Sequence, residues 1–159
     1  MLDNQCNFIV RPHTKEDIPH MVQQVVDFFN EEGNRYTKLD IDEEVLYNIA
    51  KVALDNPTMF MRVIEDSNGK IVGMIAGEIS MYIFSAEKIA REFFLFVQPS
   101  FRNVDAAKKL VTSFVTWAQE QNVKEVQIAS TTGFKTDKFG KLMELCGLKE
   151  IGRTYNKEF

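Results

Sequence analysis

The chain has 159 residues, the length of one ordinary domain, and 45% of them are hydrophobic and 26% charged, a globular balance that lets one core bury about 70% of the unfolded surface. A net charge of −4 speaks against a polyanionic partner such as bulk DNA or an anionic membrane. Cys6 and Cys146 make neither a disulfide framework nor a zinc spacing, no apolar run nears the ~20 residues of a membrane helix, and the N-terminus lacks a signal-peptide pattern, so a cytoplasmic chain is expected.

In chain order, Asn7 to Arg11 reads as a short strand and Pro12-His13 as a turn. Thr14, with Asp17 three residues on, caps a helix whose Ile18, Met21, Val22, Val25, Val26 and Phe29 fall on one face. That helix is predicted to end near Glu32-Gly33. A polar loop, residues 34–41, contains Tyr36. Asp42 caps a second helix with Val45, Leu46, Ile49 and Ala53 inward, and Asn56-Pro57 stops it.

Thr58 to Glu65 reads as a strand, Asp66 to Gly69 as a hairpin turn, and Ile71 to Phe84 as a long strand. Gly73 and Gly77 inside it signal a bend or another backbone close by. Ala90 to Val97 is the next strand, ended by Pro99. Asp105 to Gln121 is a helix with Ala107, Leu110, Val111, Phe114 and Ala118 on one side, and Trp117 beside Phe114 is read as core or interface. Val123 to Ser130 is a strand. Lys135 to Cys146 is a helix with Phe139, Leu142, Met143 and Cys146 inward, closed by Gly147, and Leu148 to Lys157 is a last strand.

The order β α α β β β α β α β predicts a single α/β domain over residues 1–159, with a mixed sheet of about six strands and helices on both faces. The unit from Ala90 to Ser130 must be a parallel crossover, because its helix carries the chain back to the starting edge.

This order, together with Phe93 to Val111, resembles the GNAT superfamily of N-acetyltransferases. The family's central motif is a strand ending in an aliphatic-Val pair, a Pro soon after, then Arg/Gln-x-x-Gly-x-Gly/Ala opening a long helix. Here the strand ends Leu95-Phe96-Val97, the Pro is Pro99, and the opening is Arg102-Asn103-Val104-Asp105-Ala106-Ala107. Cys146-Gly147-Leu148-Lys149 resembles the family's Gly-Phe-Lys step into its final strand. The resemblance covers nearly the whole chain and implies a GNAT-type fold with a splayed parallel strand pair in the middle of the sheet.

It also implies acetyl-CoA as co-substrate, without a metal, and a primary amine of a small molecule or peptide as acceptor. A helix N-terminus is by itself a ready pyrophosphate site, and small residues let phosphates approach. Arg102 supplies charge, Ala106 and Ala107 supply smallness, and Asn103 can take a left-handed conformation. Val104, Thr131 and Thr132 complete the implied cofactor contacts. Asp105 departs from the pattern: it stands at the first motif glycine, where an inward carboxylate repels a pyrophosphate and an outward one serves the helix dipole.

The implied mechanism pairs the pantetheine arm with the splayed strands, Ala90–Val97 and Val123–Ser130, and holds the carbonyl oxygen on a backbone N–H near Phe96 or Val97. Glu92, ten residues before Arg102, is the first candidate for general base. Strand alternation puts it on the face of Phe94 and Phe96, where a carboxylate has a raised pKa. Its plainer reading is a solvent-facing glutamate or a partner of Arg91 or Lys88. Glu78 on the long strand is the second candidate.

The helix tyrosine that serves many relatives as acid is replaced by Met143, which leaves Tyr155, Ser130, Thr131 or Thr132. Acceptor candidates are Phe29, Tyr36 and Tyr82, with Asn30 and Asp40. The acids Asp40, Asp42, Glu43 and Glu44 suit a cationic amine or, equally, a helix N-terminus. His13 and His20 carry no assigned role. Asp105 and Met143 also motivate a competing reading, a catalytically silent GNAT-fold module acting through protein partners, and a third is an enzyme that modifies peptides or proteins. A homodimer through a sheet edge or the final strand is the assembly the resemblance implies.

Overall fold

The computed structural model describes residues 7–31, 39–102, 104–130 and 136–159, the side chains of Glu31 and Val104 excepted. Cys6, Tyr36, Asn103, Thr131 and Thr132 therefore lie outside the described residues.

Strand β1 (Ile9–Pro12) leads through a short 3-10 turn into helix α1 (Ile18–Glu31). The turn is capped as the sequence suggests, with the Thr14 N–H donating to Asp17 Oδ2 at 2.7 Å. Arg11 ties this cap to the sheet, donating to Asp17 Oδ2 at 2.7 Å and to Glu65 Oε1 at 2.6 Å. Helix α2 (Glu43–Asp55) opens on Asp42, whose carboxylate accepts from the Glu44 and Val45 N–H groups. Strands β2 (Met59–Glu65), β3 (Ile71–Met81) and β4 (Lys88–Val97) follow, then helix α3 (Val104–Glu120), strand β5 (Glu125–Gln127) and helix α4 (Thr136–Leu145). Gly147 closes α4 at φ +81°, a left-handed value that costs glycine nothing.

The sheet order is β1-β2-β3-β4-β5, antiparallel up to β4, with β4 and β5 parallel. The crossover through α3 is thus the expected one. Its core contains Phe8, Phe60, Ile64, Ile75, Ala90, Leu110 and Phe114, with Trp117 stacked on Phe114 at 5.8 Å. Helices α1 and α2 cover the opposite face, where Ile18, Met21, Val22, Ala50, Ala53, Val63, Met74 and Ala76 are buried together.

Several sequence expectations fail. The described residues form a five-stranded mixed sheet, and among them the parallel pair stands at the edge of the sheet where its middle was expected. Residues 148–159 form no strand, and residues 151–159 are all exposed. A strand exists only where a neighbour completes its ladder, and no described strand does so here. The stretch expected as Ile71–Phe84 ends at Met81, and Tyr82 to Glu87 form the turn. Val45 is exposed, because the inward row of α2 runs through Leu46, Ile49, Ala50 and Ala53. On α1 the row includes Gln24, whose side-chain amide donates to the Ile71 carbonyl at 2.9 Å, and Phe28.

Both strand glycines mark close backbone approach. A Cβ on Gly73 would lie 2.6 Å from the Phe96 carbonyl oxygen, and one on Gly77 would lie 2.5 Å from that of Arg91. The β3–β4 register slips between Ala76 and Gly77, so that Ala76 faces Phe94, Gly77 faces Glu92, and Phe93 has no partner. This is a β-bulge on β4.

Candidate active site

Strands β4 and β5 pair over three residues only, Ile89 to Arg91 with Glu125 to Gln127. The last pair is joined by side chains, Arg91 Nε donating to Gln127 Oε1 at 3.2 Å. Beyond it β4 runs on to Val97 with no described strand on this side, so the two strands part at Glu92. The backbone there has ladder groups to offer. Gln98 N–H donates to the Val72 carbonyl of the strand on the other side. Alternation then aims the Phe96 amide at β3 and the Leu95 and Val97 amides into the gap.

Glu92 sits where the strands part. Its Oε2 accepts the Ala129 N–H at 3.3 Å. Burial pushes its pKa up to about 7, a rise that the Ala129 hydrogen bond partly offsets. The expected raised carboxylate is present, but its stated setting is not. With Phe93 bulged out, Glu92 lies opposite Gly77 and continues the row of Ala90, a residue of the core beneath α3. Phe94 and Phe96 turn to the other face, toward Phe28. The bulge interrupts the two-residue alternation on which the shared face depended.

The loop after β4 makes a 3-10 turn at Pro99–Phe101. Arg102 folds back on the strand end, its Nε donating to the Val97 carbonyl at 2.7 Å and its guanidinium lying 5.8 Å from the Phe96 ring centre. Helix α3 begins at Val104. The exposed Asp105 carboxylate is 3.5 Å from Lys109 Nζ one turn on, which gives it the outward, dipole-serving orientation. Ala106 is fully buried and Ala107 packs at the margin of the same core.

Other candidates are scattered. Glu78 is exposed on β3 opposite Arg91, two residues from Ala76 and so on the α1–α2 face, across the sheet from Glu92. Tyr155 is 86% exposed in the tail. Tyr82 packs edge-on against Phe84 at 5.6 Å in the β3–β4 turn. Phe29 is half-buried on α1, while Phe28, which the helical spacing passed over, makes the contacts with β4. His13 is buried, with its Nε2 at 2.9 Å from the Ala50 carbonyl oxygen. Met143 is buried in α4. Sequence reasoning also missed the bulge, although Gly77 in mid-strand was its signal.

A family model described as Acetyltransferase (GNAT) family matches residues 20–137. The chain belongs to the GNAT family of acetyltransferases. Solved structures share the GNAT fold at low identity. The aminoglycoside N-acetyltransferase AAC(6')-Iy in complex with CoA is similar over 100% of this chain and 99% of its own, with a TM-score of 0.76 and 14% identity. An acetyltransferase of Trypanosoma brucei is similar over 96% and 100%, at 0.70 and 16%. Glucosamine-6-phosphate N-acetyltransferase from Arabidopsis thaliana is similar over 96% and 99%, at 0.69 and 17%. No curated protein sequence matched the chain. No helix among the described residues is long and apolar enough to cross a membrane.

Proposed function

We propose that this single GNAT domain transfers the acetyl group of acetyl-CoA to a primary amine, with Glu92 as the general base. The observation that carries the reading is the Glu92 carboxylate at the parting of β4 and β5, half-buried and titrating near neutral pH. A base with a pKa near the working pH combines a large ionised fraction with useful proton affinity.

The residues present fit the co-substrate. The side of β4 with no described neighbour offers the Leu95 and Val97 amides to an extended arm, and the N-terminus of α3 with Arg102 offers positive potential to a pyrophosphate. Bound acetyl-CoA would supply the activated acyl group as a thioester. Glu92 takes a proton from the incoming amine. The Val97 N–H would donate to the carbonyl oxygen of the bound thioester as it gains charge, a contribution of roughly 3 kcal/mol for one well-aimed donor. Met143 cannot act as an acid and Tyr155 lies in the exposed tail, so in this reading the departing sulfur takes its proton from solvent or from the product ammonium, with Ser130 as the other candidate donor.

The competing reading, a silent binding module, draws on the exposed Asp105 carboxylate at the start of α3. One pair of measurements separates the two. Acetyl-CoA at about 100 times Kd should raise Tm by roughly 5–10 °C, and NADH should not. Thiol release in the presence of an amine should then fall about 100-fold or more in Glu92→Gln. Absence of any acetyl-CoA shift would favour the silent module.

A further inference from the structure

We infer that the main-chain N–H of Ala129 is the positioning group for Glu92, holding its Oε2 where β4 and β5 part. This rests on the acetyl-transfer reading above and deepens it by naming what aims the base.

The last residue pair of the parallel ladder is Arg91 with Gln127. Immediately beyond it the two strands are joined once more, but through a side chain, because Glu92 Oε2 accepts the Ala129 N–H at 3.3 Å. A glutamate side chain is long, and on an opening strand edge its head keeps its rotamer freedom unless something holds it. A main-chain donor suits that task, since its direction is set by the segment that carries it and not by a rotamer of its own. That segment is anchored. Lys124 N–H donates to the Lys88 carbonyl at 2.8 Å, the pairs from Glu125 to Gln127 follow, and Ile128 packs at the margin of the core beneath α3. Ala129 itself is exposed, so the donor is its main chain while its methyl group faces solvent.

The setting makes this one hydrogen bond count. Glu92 continues the row of Ala90 and lies opposite Gly77, over which the Phe114 ring of α3 packs. Val126 and Ile128 of β5 border the same core. These groups, which face Glu92 from β3, α3 and β5 among the described residues, are apolar, and Arg91 and Glu78 lie on the other face of the sheet. Burial favours the neutral acid, and the Ala129 N–H opposes it by favouring the carboxylate. The same donor thus aims the carboxylate and keeps more of it ionised, the form that takes a proton from an amine.

The decisive test uses the full chain and needs no acceptor. Nuclear magnetic resonance follows the Ala129 amide and the Glu92 carboxyl through neutral pH. We expect the amide shift to titrate with the Glu92 midpoint, near pH 7, and to lie flat in Glu92→Gln. Ala129→Pro removes the donor and should move the Glu92 midpoint upward, whereas Ala129→Ser keeps the donor and should leave the midpoint in place. Thiol release from acetyl-CoA is then measured with whichever of kanamycin, glucosamine 6-phosphate and 2-phenylethylamine the parent uses best. Ala129→Pro should lower kcat/KM at pH 7 at least fivefold and displace its acid limb to higher pH, with Ala129→Ser within twofold of the parent. Should Ala129→Pro fold poorly, the amide titration in the parent and in Glu92→Gln decides alone. An Ala129 amide indifferent to Glu92, or an unmoved midpoint and unchanged kcat/KM in Ala129→Pro, would overturn the positioning role and leave Glu92 standing as base. Full activity of Glu92→Gln, or no thermal shift with acetyl-CoA, would take both down.

Discussion

Gly77 leaves the space that Phe114 fills: a Cβ on Gly77 would lie 2.7 Å from the Phe114 ring and 2.5 Å from the Arg91 carbonyl oxygen. The same glycine faces Glu92 at the register slip. Core packing of α3 and placement of the candidate base therefore meet at one residue.

Gly77→Ala is accordingly expected to cost about 2 kcal/mol or more, because backbone and a fully buried ring must both yield. Chemical denaturation measures this. An unchanged midpoint would show that the ladder relaxes without difficulty.

Glu92 has a second, thermodynamic signature. Its folded pKa of about 7 lies above the ordinary 4.5, so the folded state holds more protons between those values. Its contribution is fully present below pH 4.5 and is lost as pH rises through 7. Glu92→Gln should therefore stabilise the protein at pH 8 relative to pH 5, by about 2 kcal/mol at most. Activity should move the opposite way in the parent protein, with kcat/KM rising through pH 7. Parallel pH–stability curves for parent and variant would count against a buried carboxylate.

Asp105 should weaken acetyl-CoA binding while supporting α3. Asp105→Gly is expected to tighten Kd several-fold by calorimetry and to lower stability by up to about 1 kcal/mol, through loss of a dipole-serving acid and gain of backbone freedom. Weaker binding would mean that the carboxylate helps to organise the loop.

The Arg11–Asp17–Glu65 cluster predicts an acid limit. Arg11 holds Asp17 down at about 2, from 3.8. Stabilisation from this pair is present above pH 3.8 and is lost as pH falls through 2. Asp17→Asn should cost about 1 kcal/mol at pH 7, where the capping hydrogen bond to Thr14 also suffers, and should flatten the acid limb of the stability curve. An unaltered acid limb would place the sensitivity elsewhere.

Much of the fold was legible because its signals are local. Helix ends are announced by Asp17 accepting the Thr14 N–H, by the Asp42 carboxylate accepting the Glu44 N–H, and by Gly147, whose lack of a side chain permits a left-handed φ. Glu92 was legible as a candidate through a resemblance, and the upward direction of its pKa was expected, although from a setting among Phe94 and Phe96 that it does not have. Its face was not, since one unmatched residue inverts everything beyond it and alternation carries no record of a bulge. Val45 and Phe28 were misplaced for a related reason: a helical stripe is wide enough to admit either of two neighbours, and the partner surface chooses between them.

By itself the sequence determined most of the succession of helices and strands and the parallel crossover through α3, consequences of apolar periodicity, capping chemistry and the steric limits on a chain connection, and it carried the family through the resemblance of its 93–111 segment. Only the tertiary structure decided where β4 and β5 part, that Phe93 is extruded, that Asp105 turns toward Lys109, and that residues 148–159 stay outside the sheet. Those features depend on which backbone groups find partners across space, and pairing across space is settled by packing rather than by neighbours in the chain.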